Sequence, residues 1–353
     1  MAVQIDVLLI GQGLAGSLLA WELLQRQLRI VVVDVGAENA SQVAAGLINP
    51  VTGQRLVKQV DLETLLPAAM HVYRQLGMQF GQSFYVQMPM LKILRTEKEL
   101  EIAERRLSQP DYRDYLLGLA PAPAELDAAY GVLQQGKTGY LRTEALLSQL
   151  RDFLLNKHCY RRNTLQYGEI NLEPSLRWHD IYPRHIVFCE GYQAVTNPWF
   201  KYLPFQLAKG EILGCESRQD IPKHILNYGH WLISLESRRF KTGATFDTNQ
   251  LDNLPTQAAK TALLASLRAV CPQQQPLDVY QHRAGIRPAT LDKQPFIGTH
   301  PRHSRLHIFN GFGAKGSLAI PWYAARFVDY LQQHAGLPPA CNIRRYDKSH
   351  FPA

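Results

Sequence analysis

Gly11-Gln12-Gly13-Leu14-Ala15-Gly16 is a G-x-G-x-x-G turn in which each glycine answers a physical demand. Gly11 permits a tight turn, Gly13 lets the main chain approach a pyrophosphate, and Gly16 lets a following helix pack on the preceding strand. The N–H groups of Leu14, Ala15 and Gly16 open that helix and present the positive end of its dipole to an anion. Asp34 stands where a carboxylate can accept hydrogen bonds from both ribose hydroxyls of an adenosine, and it disfavours a 2′-phosphate. Near the other end of the chain, Asn310-Gly311-Phe312-Gly313-Ala314-Lys315-Gly316-Ser317 repeats the device: three glycines ahead of a helix make a second site for negative charge. Reduced flavin builds such charge at its N1/C2 carbonyl edge, and Lys315 would add a cation beside it. The N-terminal fingerprint has no second copy for a nicotinamide cofactor. Together these features favour FAD over NAD.

The elements around these turns have to place them. Residues 3–10 read as a buried strand, 14–26 as a helix apolar almost all round, and 29–35 as a second β-branched strand. This βαβ unit predicts an α/β fold with a parallel sheet. Further on, 62–80 reads as helix, 84–95 as extended, 97–108 as a charged surface helix, and 109–138 as loop. A helix at 143–156 and a strand at 185–189 return to the α/β style. Residues 205–250 alternate like antiparallel strands, 255–270 reads as helix, and the strand 306–310 leads through the second glycine loop into a helix at 318–332. The expected architecture is a discontinuous Rossmann-type FAD domain (1–65, 139–204 and 283–353) with an inserted substrate domain of mixed or antiparallel sheet (66–138 and 205–282).

Composition sets limits. The chain has 353 residues, 46% hydrophobic and 19% charged, which supplies a core and excludes a disordered chain. No apolar run is long enough for a spanning helix, and the N-terminus lacks the features of a secretory signal. Cys159, Cys189, Cys215, Cys271 and Cys341 are odd in number, with no C-x-x-C, which fits a reducing cytosol. The expectation is a soluble cytoplasmic protein without a membrane partner. The 38 basic residues outnumber 30 acidic ones, so the net charge of +8 suits an anionic ligand or partner. Short basic groups (Lys157, Arg161 and Arg162; Arg238, Arg239 and Lys241; Arg344, Arg345 and Lys348) are read mainly as solvated surface, with an RNA patch as the alternative. His300, His303 and His307 have no common helical face and predict no metal site. Cys189 reads as an inert core thiol. Tyr140, Tyr192, Tyr280 and His282 are candidates for a pocket lining, with packing the blander reading of each.

In order along the chain, these motifs resemble those of the D-amino-acid-oxidase-like FAD-dependent oxidoreductases, the group of glycine oxidase and sarcosine oxidase. The resemblance covers most of the length. It includes the small-residue segment Ser41-Gln42-Val43-Ala44-Ala45-Gly46, similar to a family loop near the flavin, and Gly139-Tyr140-Leu141 read as opening a helix. It also includes the strand leading into Gly191, and Lys209-Gly210-Glu211 and Gly243-Ala244-Thr245 as substrate-domain markers. Its most specific part is Gly285-Ile286-Arg287-Pro288 continuing to Asp292, Pro295 and Gly298. The resemblance implies that Arg287 faces the flavin and holds a substrate carboxylate, a role a planar guanidinium fills with two parallel hydrogen bonds. It implies oxidation of a C–N bond in a small amine or amino acid by hydride transfer to flavin N5, with hydrolysis of the imine and reoxidation by oxygen or another acceptor. With no cysteine in 311–317, no thioether can form from that loop, and the FAD is expected to be non-covalent. Glu190, Lys315 and the stretch Ala45–Arg55 depart from the family pattern. Two alternatives follow: oxidation of the carboxymethylaminomethyl group on a tRNA wobble uridine, and a flavoprotein electron-transfer subunit without turnover of its own. The residues leave the particular amine, any general base and the oligomeric state open.

Overall fold

In the computed structural model, residues 3–221, 223–236, 238–272 and 277–346 are described. Lys348 of the third basic group lies outside them. Val3–Ile10 runs parallel to Ile30–Asp34 on one side and to Ile181–Phe188 on the other. Tyr160–Arg162 extends the sheet beyond Ile30–Asp34, and Leu306–Asn310 extends it beyond Ile181–Phe188, both parallel. Buried on both faces, Ile30–Asp34, Leu306–Asn310 and the inner parts of Val3–Ile10 and Ile181–Phe188 read as largely apolar runs, while the edge strand Tyr160–Arg162 is polar and partly exposed. The helix Leu14–Gln25 buries Leu14, Leu18, Leu19, Trp21 and Leu23 between the sheet and neighbouring helices. Each fully buried leucine of this kind contributes about 1.5–3 kcal/mol. Main-chain pairing thus brings the ends of Ile30–Asp34, Val3–Ile10, Ile181–Phe188 and Leu306–Asn310 side by side. Those ends carry Asp34, Gly11, Gly191 and Gly311.

The second sheet has the strand order Leu277–Thr290, Phe205–Ser217, Arg239–Gly243, Trp231–Ser234, Ile225–Asn227, Met90–Ile93, Val132–Gln135, Leu116–Ala120. Its pairs are antiparallel except Ile225–Asn227 with Met90–Ile93, so the sheet is mixed as expected. The helix Gln257–Val270 covers one face through Leu263 and Leu267, which pack with Leu213 and Phe240. The other face is turned to the nucleotide-binding domain.

Two elements run across the divisions read from the sequence. The helix Leu62–Phe80 spans the division at 65/66 and packs on Gly316–Leu331, and its Tyr73 hydroxyl donates to the Ser317 carbonyl at 2.5 Å. Its apolar stripe of Leu65, Ala69, Tyr73 and Leu76 closes the nucleotide-binding core. The strand Leu277–Thr290 spans the division at 282/283 and stays in the second sheet, because its pairing with Phe205–Ser217 continues to Thr290. The stretch 84–95 splits between sheets: Tyr85–Gln87 pairs with Gly139–Leu141, and Met90–Ile93 joins the second sheet. Gly139–Leu141 is therefore a strand, and the helix after it starts at Thr143. The span 109–138, read as loop, holds the pair Leu116–Ala120 and Val132–Gln135. The end of the stretch Ala45–Arg55, the departure from the family pattern, forms a hairpin with the residues after it, Val51–Thr52 pairing with Val57–Lys58.

Candidate active site

The glycine turn is built to bring main chain against main chain. Gly11 has φ of +101°, and a Cβ there would stand 2.6 Å from the Cys189 carbonyl oxygen. A Cβ on Gly16 would overlap the Gly11 carbonyl oxygen and reach 3.3 Å from Cys189 Cβ. The helix after the turn starts at Leu14 with no side-chain cap at Gly13. The Leu14 N–H donates to Ser41 Oγ at 3.0 Å, so the Ser41 hydroxyl stands at the same edge as Gly13 and Ala15. Asp34 is aimed by two main-chain donors: Gln12 N–H to Oδ2 at 2.8 Å and Gly36 N–H to Oδ1 at 2.7 Å. Sequence reading missed the second layer beneath this turn. The buried Gln12 amide donates to Ser17 Oγ and the Leu147 carbonyl and accepts from Arg151 Nε at 2.7 Å.

The two other turns close on the first. Gly191, with φ of +59°, follows Cys189, whose carbonyl abuts Gly11. Asn310 Nδ2 donates to the Gly191 carbonyl at 2.9 Å, and the Gly311 N–H donates to Asn310 Oδ1 at 2.8 Å. Asn310 thus locks these two turns together. Gly311 and Gly313 both have positive φ, and Gly313–Lys315 makes a single turn that feeds into the helix at Gly316. Ala314 and Lys315 are exposed at that turn. Desolvation of the Lys315 ammonium, with Lys293 nearby, holds its pKa below the ordinary lysine range. Gly46 has φ of +68°, and a Cβ there would overlap the Leu141 carbonyl oxygen, which pins Ala45-Gly46 against Gly139–Leu141.

This set fits a dinucleotide. Side-chain-free main chain, a helix start and an oriented carboxylate line the carboxyl ends of adjacent parallel strands, the place where open α/β sheets bind ligands. Glu190 lies in the same region. Its carboxyl accepts from the Tyr167 hydroxyl at 2.9 Å and Asn197 Nδ2 at 2.8 Å, and burial pushes its pKa up to about 7. Burial likewise raises the Cys189 thiol, as expected of an inert residue.

The second sheet supplies Arg287. It pairs with Ala208, two residues from the Gly210/Gly285 pair on the same face. A Cβ on Gly285 would lie 3.1 Å from Ala40 Cα and 3.4 Å from Val43 Cβ, so this face meets the helix Ala40–Val43 of the nucleotide-binding domain. The Arg287 guanidinium occupies the space a side chain on Gly210 would fill, with Nη1 2.6 Å from that ideal Cβ. Nη1 donates to the Thr245 carbonyl at 3.3 Å. No carboxylate among the described residues pairs with Arg287, and burial lowers its pKa from the usual range. By contrast, Arg283 on the same strand is spent on Glu38 and on Glu144, the latter at 3.0 Å.

Two aromatic residues escaped the sequence reading. Trp231 lies on the Arg287 face over Gly243, with Cζ2 3.2 Å from an ideal Cβ there. Beyond that strand Asp247 pairs with Lys209, and the adjoining Phe246 is 74% exposed. Positions in the run Gly243-Ala244-Thr245-Phe246 carried no chemical signal by type. Of the earlier pocket candidates, Tyr140 lines a cavity of about 360 Å³ with Ala45, Ile233 and Lys241. His282 faces away, 2.8 Å from Glu211, Tyr192 meets Asn253, and Tyr280 packs under Arg239. His307 is used by His185 and Thr299, and among the described residues no cluster of His, Cys, Asp or Glu is arranged to hold a metal ion.

Residues 6–330 match the family described as FAD dependent oxidoreductase. The chain belongs to the FAD-dependent oxidoreductase family. Glycine oxidase from Pseudomonas aeruginosa is 23% identical over 343 residues, 89% of this chain and 91% of that one. Glycine oxidase from Bacillus subtilis is 28% identical over 158 residues, and the match spans 43% of this chain and only 42% of that relative. The tRNA 5-methylaminomethyl-2-thiouridine biosynthesis bifunctional protein MnmC from Acinetobacter baylyi is 23% identical over 95% of this chain but 54% of its own length. In fold, the chain is similar to the crystal structure of glycine oxidase from Geobacillus kaustophilus, with a TM-score of 0.84 at 18% identity over 98% of this chain and 100% of that one. The side-chain-free main chain of the glycine turns and the Asp34 carboxylate fit the family's FAD in chemistry. No helix among the described residues is long and apolar enough to cross a membrane.

Proposed function

We propose that the chain oxidises the C–N bond of an amine that also carries a carboxylate, a small amino acid or N-substituted amino acid. The observation that carries this reading is Arg287: a partly buried guanidinium without a carboxylate partner among the described residues, on the sheet face that meets the cofactor domain. An uncompensated cation in such a place is a built site for a planar anion. Bound FAD supplies the two-electron acceptor for the hydride that leaves the substrate carbon. Arg287 grips the carboxylate and so fixes where that carbon stands, within about 3–3.5 Å of the accepting atom in a productive geometry. Trp231 gives the same face apolar surface, which suits the carbon substituents of an amine. Lys315 in the second glycine loop supplies a cation for the developing negative charge. The five cysteines are free and buried, which suits the cytoplasm.

A second reading keeps the same chemistry on an amine attached to RNA. It is favoured by the likeness to the MnmC relative along 95% of the chain and by a groove of about 970 Å³ in which Arg55, Arg95, Lys98 and Arg105 outnumber Glu99 and Glu101. Anaerobic reduction of the flavin by glycine or sarcosine, and not by their decarboxylated counterparts, supports the first reading. Reduction only by tRNA bearing the modified uridine transfers the function to the second. A flavin that none of these amines reduces contradicts both.

A further inference from the structure

Lys209-Gly210-Glu211 is left unexplained by the cofactor turns, and the structure ties all three residues to Arg287. Gly210 provides the space the guanidinium fills. On the opposite face, Lys209 and Glu211 are 1% and 3% exposed. The Glu211 main chain brackets Thr245: its N–H donates to Thr245 Oγ1 at 2.9 Å, and its carbonyl accepts the Thr245 N–H at 3.2 Å. Thr245 in turn offers its carbonyl to Arg287. The Glu211 carboxylate holds the other end of the segment that follows, accepting from the Thr256 N–H at 2.7 Å and the Thr256 hydroxyl at 2.9 Å, with His282 Nε2 at 2.8 Å. Lys209 secures the middle. Its main chain pairs with Asp247, and its ammonium donates to Asp252 and the Leu254 carbonyl, both at 2.6 Å.

We propose that Lys209 and Glu211 are positioning residues, strapping residues 245–256 to the sheet so that the Thr245 carbonyl holds the Arg287 guanidinium over Gly210. The proposal rests on the reading of Arg287 as the carboxylate grip. Two buried charges are a costly way to fasten a loop, since well-packed apolar residues stabilise as much or more. What the charges add is direction, because each bond runs to one defined atom. A displacement of about 1 Å in such a grip costs on the order of 10²-fold in kcat/KM.

The test uses the FAD-loaded protein and anaerobic flavin reduction by glycine and by sarcosine, with dimethylamine as the counterpart that lacks a carboxylate. Wild type, Glu211→Gln, Thr245→Val, Arg287→Ala and the double variant Glu211→Gln/Arg287→Ala are compared. Glu211→Gln and Thr245→Val are expected to raise the half-saturating sarcosine concentration about tenfold to a hundredfold, with a smaller change in limiting rate. Neither should alter any response to dimethylamine. In the Arg287→Ala background, Glu211→Gln should add nothing, because the group it positions is gone. Thr245→Val, a near-isosteric change, keeps the test open if Glu211→Gln does not fold. Full additivity in the double variant, or wild-type half-saturation in both single variants while Arg287→Ala is impaired, overturns the proposal alone. Unimpaired Arg287→Ala, or a wild-type flavin that neither amino acid reduces, overturns the grip itself and this proposal with it.

Discussion

Arg287 lies in the space that a side chain on Gly210 would occupy, with Nη1 2.6 Å from the ideal Cβ position. The two residues sit on adjacent antiparallel strands, and the absence of a side chain at one is what lets the guanidinium of the other lie flat against the sheet. Arg287 is thereby held on the face toward the cofactor domain with its charge unspent. Everything proposed about the substrate follows from that placement.

Arg287→Ala should raise KM for a carboxylate-bearing amine on the order of 10²–10⁴-fold, the worth of two charge-assisted hydrogen bonds. FAD content should be unchanged, since Arg287 belongs to the other sheet. Steady-state kinetics with a parallel measurement of bound flavin checks both. Arg287→Lys should recover only part of the loss, because an ammonium cannot make the forked contact.

Gly16→Ala should abolish FAD binding or leave an insoluble protein. The new methyl would be driven into the Gly11 carbonyl, and the main chain of both must shift. Flavin absorbance per mole of purified protein is the readout. Gly53→Ala makes a contrast. That glycine also has positive φ, but nothing lies within 4 Å of the added Cβ, so flavin content should survive with about 1 kcal/mol of strain.

Glu190 gives a pH dependence with a definite sign. Burial raises its pKa from 4.5 to about 7, so the folded state holds this proton more tightly than the unfolded one. The contribution of the neutral carboxyl is fully present below about pH 4.5 and is lost as pH rises through 7, a difference of at most about 3 kcal/mol. Glu190→Gln should therefore gain stability relative to wild type between pH 5 and 8, with the gap widening toward pH 8. Denaturation midpoints across that range measure it, and a gap independent of pH would contradict the assignment.

Lys315→Met should lower the flavin reduction potential. A cation beside the pole where negative charge collects favours the reduced form, and its removal favours the oxidised one. An equilibrium dye titration reads the shift directly. An unchanged potential would place Lys315 outside the flavin's field.

Much of the cofactor half was legible in sequence because its signals are local. The strand at 3–10, the glycine turn, the helix and Asp34 follow one another within a single βαβ unit, and periodicity with glycine spacing suffices. The helix Leu62–Phe80 was legible as a helix but not as part of the nucleotide-binding core, since an amphipathic stripe does not name the surface it will meet. Leu116–Ala120 and Val132–Gln135 were hidden among prolines and glycines, where turn residues outweigh short strands. In the substrate half, Arg287 was visible only through a motif. Its seat on Gly210 and its hold on Thr245 depend on strand register, which no local pattern reports. Trp231 was missed for the same reason. An aromatic residue reads as core until the sheet shows which face it is on.

The most direct measurement is an anaerobic absorbance titration of the FAD-loaded protein with glycine, sarcosine, D-amino acids and bulk tRNA, run in parallel on wild type and Arg287→Ala. The account predicts that a carboxylate-bearing amine bleaches the wild-type flavin band and that the variant needs on the order of 10²-fold more of it or more. Equal titration curves for wild type and variant, or equal bleaching by the same amines stripped of their carboxylate, would contradict it.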